Sequence, residues 1–328
     1  MRVTYRELHD VLSRALERAG LEPERAQLSA RLVADASRDG VASHGLNLFP
    51  RLLRMIATGI VDVRARARCV SAHGSIERWD GGRGVGNLNA HDAMSAAIAL
   101  ARAHGIGCVA LANTNHWMRG GTYGWQAADA GVIGVCWTNT LPNLPPWGAD
   151  VARVGNNPLV IAVPRPDGHV VLDMAMSQFS YGALAAHRLR GEMLPVPGGF
   201  DNSGALTQDP AAIEASRRPL PIGFWKGSGL AVMLDLIAAT LSGGRATHEI
   251  PADPEQETGV SQVFLALDAS SLAAPGETIR IVDAIVADLQ VRYPGERTLE
   301  TCRRNMTDGI PVEPSIWQDV LGYVAHTS

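Results

Sequence analysis

Apolar positions change period several times along the chain, and each change predicts an element. Thr4-Tyr-Arg-Glu7 has the form of a capping box and opens an amphipathic stretch to about Arg18, stopped at Gly20. Pro23 suits the first position of a second helix, to about Ser37, ending near Gly40. Ser43 can cap a third, from about His44 to Ala57, closed by Gly59. Beyond this helical layer, Arg68 to Ser71 and Ser75 to Trp79 read as short strands around a His-Gly turn. A glycine-rich loop, Asp80 to Asn87, precedes a helix from Leu88 to His104.

Further strands are expected at Ile106–Leu111, Val132–Trp137, Leu159–Pro164 and Val260–Leu267, with a short helix at Gly124–Asp129. A Pro-Asp-Gly turn at Pro166 to Gly168 leads into a strand from His169 to Met174, which is a hairpin signal. Gly191 to Pro221 reads as a long surface loop, Leu230 to Leu241 as an apolar helix buried on most sides, and Gly243 to Glu257 as polar loop. A helix at Glu277–Val291, a turn at Pro294–Arg297 and a last helix at Pro314–Ala325 complete the chain. The prediction is an α/β protein whose adjacent strand pairs argue against a strictly alternating parallel sheet. Residues 1–75, joined by 311–328, form the expected helical layer, and 76–310 the mixed α/β domain that binds cofactor and substrate.

Composition narrows the function without naming it. The 328 residues are 46% hydrophobic and 19% charged with a net charge of −4, which gives no attraction to nucleic acid or an anionic membrane surface. No apolar run reaches the roughly 18 residues of a membrane span. The start of the chain lacks an apolar signal core, and Cys69, Cys108, Cys136 and Cys302 show no C-x-x-C spacing; together these point to the cytoplasm and to free thiols. No H-x-x-x-H, H-E-x-x-H or G-x-S-x-G occurs, so neither a metal site nor a serine hydrolase is expected.

The chemistry-bearing residues gather in a few places. Asn113 to Thr140 holds three of the seven Trp residues together with His116 and Arg119 in a glycine-rich loop at a strand end, and reads as one wall of an active site. Ser43-His44 at the head of the third helix places an imidazole where a helix dipole lowers its pKa and proton transfer to a carbonyl oxygen is feasible, although a surface cap histidine fits the same pattern. Asp173 ends an apolar strand and calls for a partner, structural or catalytic. Of 29 basic residues only Lys226 is lysine, and Lys226-Gly-Ser-Gly229 before a helix is good anion-binding chemistry, though an ordinary glycine-capped start fits equally well. Gly105-Ile-Gly-Cys-Val-Ala110 spells a dinucleotide fingerprint but opens a strand rather than a helix, and Gly227-Ser-Gly-Leu-Ala-Val232 follows a Pro-rich loop; neither has the Rossmann context.

Several longer strings carry a resemblance: Ala42-Ser-His-Gly45, Asn115-His-Trp-Met-Arg-Gly-Gly121, Tyr123-Gly-Trp-Gln126, Trp137-Thr-Asn139, Leu144-Pro-Pro-Trp-Gly148, Asn157-Pro158, Phe179-Ser-Tyr-Gly182 and Trp225-Lys-Gly-Ser-Gly229. On these the chain resembles the type-2 malate/lactate dehydrogenases nearly end to end, least between about Ser270 and Glu300. The resemblance implies a non-Rossmann mixed sheet with a helical N-terminal layer, and a homodimeric reductase using NAD(H) or NADP(H) on a small 2-keto acid or its 2-hydroxy product. It implies His44 as proton donor, with Ser43 touching substrate and His116 lining the pocket. Cofactor contacts would fall on His169, Val170, Val171, Leu172, Asp173, Met174 and Ala175, on Trp225 and Lys226, and on Gly295, Glu296 and Arg297. Where the family commonly has an arginine one turn past the histidine, this chain has Leu48; Arg51 or Arg119 would then bind the substrate carboxylate.

Overall fold

Helix starts fall where a cap or a proline fixes them. The computed structural model describes residues 1–325 apart from 271, 273 and 275, so residues 326–328 of the expected C-terminal segment lie outside the described residues. After β1 (Arg2–Val3), α1 spans Tyr5–Arg18, with the Thr4 hydroxyl accepting from the Glu7 N–H at 3.1 Å. Pro23 opens α2 (Pro23–Arg38), and α3 spans Phe49–Ala57. There follow β2 (Arg68–His73), β3 (Ile76–Asp80), α4 (Gly86–His104), β4 (Ile106–Thr114), α5 (Gly121–Asp129), β5 (Ile133–Thr138), β6 (Leu159–Val163) and β7 (Val170–Met174). The second half holds α6 (Tyr181–Arg190), β8 (Gly199–Phe200), β9 (Leu206–Thr207), α7 (Pro210–Ser216), α8 (Trp225–Ser242) and β10 (Val260–Leu267), then α9 (Glu277–Asp288), α10 (Glu296–Asp308), β11 (Ile310–Pro311) and α11 (Pro314–Ala325).

The main sheet has seven strands in the order β2-β3-β4-β10-β5-β6-β7. Only the β3–β4 neighbours are parallel; every other pair in it is antiparallel, so this is the mixed, non-Rossmann sheet the strand pairs predict. Side chains alternate between its faces. Val109, Leu111, Cys136 and Phe264 pack with Ala93, Ala97 and Ala127 of α4 and α5 on one face, whereas Ala110, Trp137 and Val263 meet Ala231, Leu234 and Ala238 of α8 on the other. The N-terminal helices have their own core, in which Leu8, Leu12, Phe49 and Leu53 close around Trp317 of α11. The β1–β11 pairing fastens both ends of the chain to this layer.

Four expectations give way. The third helix does not begin at His44: two 3-10 turns, Ala42–His44 and Leu46–Leu48, precede α3, because Gly45 sits against α2 and breaks the helical path. Gly191 to Pro221 is not a plain loop but carries the β8–β9 pair and α7, and α6 stands before it without having been expected. Pro294–Arg297 does turn, but Glu296 then continues into α10 rather than ending the element. The apolar helix starts at Trp225, and Leu230, Met233, Leu236, Ile237 and Leu241 on it are 36–54% exposed, so its apolar character reflects an open face and not burial on most sides. Among the described helices none is long and apolar enough to cross a membrane.

Candidate active site

His44 closes the first 3-10 turn, its N–H bonded to the Val41 carbonyl at 3.0 Å. The turn is seated by Ser37, whose hydroxyl donates to Val33 O and accepts from the Leu46 N–H at 2.9 Å. Gly45 is required at this contact, since a Cβ there would stand 2.3 Å from the Ser37 hydroxyl. Ser43 Oγ lies 3.0 Å from His44 Nδ1 and fixes the ring's near edge. The His44 pKa is lowered by burial and by the Arg119 cation, against an upward pull from Asp173. The cause is therefore desolvation rather than the helix dipole expected from the sequence, because α3 starts five residues later.

His116 comes from the loop after β4. That loop rests on the glycine-rich segment before α4: Asn115 Nδ2 donates to the carbonyls of Arg83 (2.7 Å) and Gly84 (2.8 Å). A Cβ on Gly86 would stand 2.3 Å from the His116 carbonyl oxygen. The Met118 N–H donates to His116 Nδ1 at 3.1 Å, with Met118 itself at φ 65°, so the free ring nitrogen is Nε2. Burial and the neighbouring His44 and Arg51 hold the His116 pKa well below the usual imidazole value. The two rings stack with centroids 6.1 Å apart.

The aromatics of this stretch divide: Trp125 lines the cleft that His169 and Arg119 share, its ring 5.6 Å from that of His169, whereas Trp117 and Tyr123 lie behind the loop. Trp117 and Tyr123 are buried against Phe264 of β10, and the Tyr123 hydroxyl donates to the Trp117 carbonyl at 2.6 Å. They brace the loop from behind.

Both candidate substrate arginines are held by carboxylates. Arg119 is 5% exposed and its Nη1 lies 2.6 Å from Asp39 at the end of α2. Arg51 Nη2 lies 2.9 Å from Glu257 and also bonds Pro254 O. Each keeps a buried Nε–H with no partner among the described residues. Leu48 and Arg51 share a cavity of about 20 Å3 with Asn115 and His116.

Asp173 is exposed rather than buried, and its partner is a backbone group: Oδ2 accepts from the Gly121 N–H at 2.8 Å. A methyl group on Gly121 would meet both Asp173 Oδ2 (2.7 Å) and Arg119 Nε (3.2 Å), so these two lie side by side next to His44. Gly182 at the start of α6 lies against Ser43.

β7 is an edge strand, and the other two segments expected to hold cofactor adjoin it. At one end the Val171 N–H donates to the Pro294 carbonyl at 2.8 Å, and Gly295, at φ 98°, closes to within van der Waals contact of His169 and Val171. Just past the other end the Ile222 N–H donates to the Met176 carbonyl at 2.9 Å, three residues before Trp225, which with Lys226 is exposed at the head of α8. Beside the first junction a cleft of about 680 Å3 runs between Gly168, His169, Thr298 and Leu299 and the Arg119–Asp39 pair. His169 is fixed there by Asp129 at 2.9 Å. No group of His, Cys, Asp and Glu suited to a metal ion occurs among the described residues.

Asp39, Glu257 and Gly182 are not legible as site residues in the sequence. Asp39 meets Arg119 across 80 positions and Glu257 meets Arg51 across 206, and no local pattern records such pairings. Gly182 lies in the quoted Phe179-Ser-Tyr-Gly182 string, which was the available signal.

Known proteins resemble the chain over nearly its whole length. The chain is 44% identical over 98% of its length to a 2,3-diketo-L-gulonate reductase of Escherichia coli, covering 99% of that protein, and 43% identical, with the same coverages, to one of Klebsiella pneumoniae. The crystal structure of delta1-piperideine-2-carboxylate reductase from Pseudomonas syringae pvar. tomato superposes with a TM-score of 0.89 at 29% identity, over 98% of this chain and 99% of that one. The family model described as malate/L-lactate dehydrogenase matches residues 3–321, and the chain belongs to that family.

Proposed function

We propose that this protein is a nicotinamide-dependent reductase of a 2-keto acid resembling 2,3-diketo-L-gulonate, with His44 as proton donor. The observation that carries the reading is the meeting of His44, His116, Arg119 and Asp173 beside β7, the strand on which all expected cofactor segments converge.

The residues present fit a dinucleotide. The cleft beside the Gly295–Val171 junction is within the usual size range of ligand sites, and Lys226 at a helix head suits a phosphate. His169 to Ala175, Gly295 to Arg297, Trp225 and Lys226 would hold it. When bound, such a cofactor supplies a hydride to the carbonyl carbon. His44 delivers a proton to the carbonyl oxygen, and Ser43 fixes which ring nitrogen faces the substrate. His116, kept neutral, hydrogen-bonds the substrate through Nε2 without competing for the proton. The unpartnered Nε–H groups of Arg119 and Arg51 are donors for a carboxylate.

The open apolar face of α8 supports a homodimer, since exposed apolar patches of this kind mark protein contacts. The family resemblance and the free thiols favour a cytoplasmic enzyme working on a small molecule, with NADH and NADPH to be separated by titration. A second reading, reduction of a cyclic 2-imino carboxylate, is favoured by the piperideine-2-carboxylate reductase likeness; the same imidazole would protonate nitrogen. The test is NADH and NADPH consumption against a panel of 2-keto and cyclic 2-imino acids, with His44→Ala alongside. A loss in kcat of roughly 10²–10⁴ is expected for a displaced general acid. A loss below threefold, or no turnover of any panel member by the parent protein, overturns the assignment.

A further inference from the structure

Asp39 stands at a junction that the reaction as described does not use. It is 9% exposed at the C-terminal end of α2 and takes two charged donors. Arg38 Nε of α2 reaches Oδ1 at 2.8 Å and Arg119 Nη1 of the active-site loop reaches Oδ2 at 2.6 Å. The junction is braced on both sides. Arg38 also holds Asp35, which accepts from the Tyr5 hydroxyl at 2.8 Å, and Asn305 of α10 donates to the Arg38 carbonyl at 2.7 Å. Gly40, at φ 84°, lets Thr301 of α10 approach to where a Cβ would collide at 2.7 Å.

Each element meeting here has a task in the site. The loop carries His116 and Arg119. α10 begins one residue after Gly295, at the cofactor segment that adjoins β7. α2 seats the His44 turn through Ser37. One carboxylate therefore ties the buried Arg119 to the end of α2, the helix that seats the proton donor and packs against α10. The Arg119 orientation shows the consequence: with Nη1 clamped by Asp39, its unpartnered Nε–H is presented next to Asp173.

We propose that Asp39 is a positioning residue of the active site, which registers the Arg119 loop on α2 and holds Arg119 short of an ion pair with Asp173. This rests on the reductase reading for its consequence in turnover, but not for its electrostatics. Around His44 the charged and titratable groups are Asp173 from β7, and Arg119 and His116 from the loop, with Arg51 of α3 beyond His116. Remove the Asp39 charge and the buried guanidinium still has the Asp173 carboxylate beside its Nε. Arg119 then moves towards it, cancelling the charge that favours protonated His44 and bringing a cation closer; both changes make protonated His44 rarer.

The experiment compares Asp39→Asn and Asp39→Glu with the parent protein, with cooperative thermal unfolding as the check on folding. Asp39→Asn is expected to lower kcat/KM for the best panel substrate at least tenfold at pH 7. It should also move the acidic limb of the kcat/KM profile for reduction to lower pH. Asp39→Glu, which restores the charge, should return most of the limb's position. A folded Asp39→Asn with kcat/KM and limb within twofold of the parent overturns the proposal. If Asp39→Asn does not fold, Arg119→Gln removes the cation that Asp39 places beside His44; the His44 midpoint should then rise, and an unmoved midpoint overturns the proposal. Titration of the His44 ring proton by NMR in the ligand-free protein, assigned with His44→Gln, keeps the two readings apart. A parent protein inactive on every panel member sinks the reductase reading alone, while an His44 midpoint unmoved in Asp39→Asn sinks this one alone.

Discussion

The imidazoles of His44 and His116 lie nearly parallel, their planes 21° apart and their centroids 6.1 Å apart. Burial disfavours the charge on each ring; Arg119 adds to this at His44, and His44 and Arg51 add to it at His116, so both pKa values fall below the ordinary imidazole value, that of His116 well below it. On the proposed mechanism, reduction needs protonated His44 and oxidation needs it neutral. The kcat/KM for reduction should therefore fall as pH rises through a midpoint below about 6.5, the unperturbed value, while that for oxidation rises through the same midpoint. Initial rates in both directions from pH 5 to 9 check this; a midpoint above 7, or limbs that do not mirror each other, would exclude His44 as the group.

His116 should also leave a mark on stability. Its folded pKa is well below its unfolded value of about 6.5. The unfolded chain then binds more protons in the window between the two, so stability is complete above about pH 6.5 and lost as pH falls through it. His44 contributes in the same sense. His116→Gln removes one of these protonations, and its stability should decline less than the parent's between pH 7.5 and pH 5. Urea unfolding at both pH values measures the difference. Equal declines would mean that His116 is not held neutral by the fold.

What the sequence reveals follows the range of the interaction involved. The Thr4 cap, Pro23 and the Pro166–Gly168 turn act within four residues, and α1, α2 and the β6–β7 hairpin are found where those signals place them. The long strings place His44 and His116 near one another without any geometry. The start of α3 is missed because Gly45 answers to Ser37 on α2, a contact that capping residues do not encode. The α8 pattern misleads for a related reason, since apolar residues look alike whether they face a core or an open surface. The anchoring of Arg119 and Arg51 depends on acids far away in the chain, and only the folded structure brings them together.

The family resemblance points to an arginine at position 48, where this chain has Leu48 bordering the small cavity shared with Arg51 and His116. An arginine introduced there would add a cation beside His116. Leu48→Arg should then raise kcat/KM for 2-keto acids about tenfold, the scale of one charge-assisted hydrogen bond. The gain should be confined to substrates whose carboxylate the new cation can reach. Assays on the keto- and imino-acid panel read this directly. No gain on any member would show that Leu48 has no part in specificity.

Gly86 offers a test of the loop support that is independent of substrate. As the first residue of α4 it would ordinarily be improved by alanine, which helices favour over glycine by up to about 1 kcal/mol. Here the added methyl would lie 2.3 Å from the His116 carbonyl oxygen and 2.4 Å from that of Asn115. These are backbone atoms and cannot rotate away as a side chain would. Relief requires the loop to move off α4, which strains the Asn115 bonds to Arg83 and Gly84 and shifts His116 relative to His44. Gly86→Ala should therefore destabilise the protein by about 1–3 kcal/mol, the usual range for overpacking, and reduce kcat as well. Urea midpoints and initial rates separate the two contributions. A variant of equal or greater stability would mean that helix propensity outweighs the contact, and that the glycine-rich segment is not what holds the histidine loop.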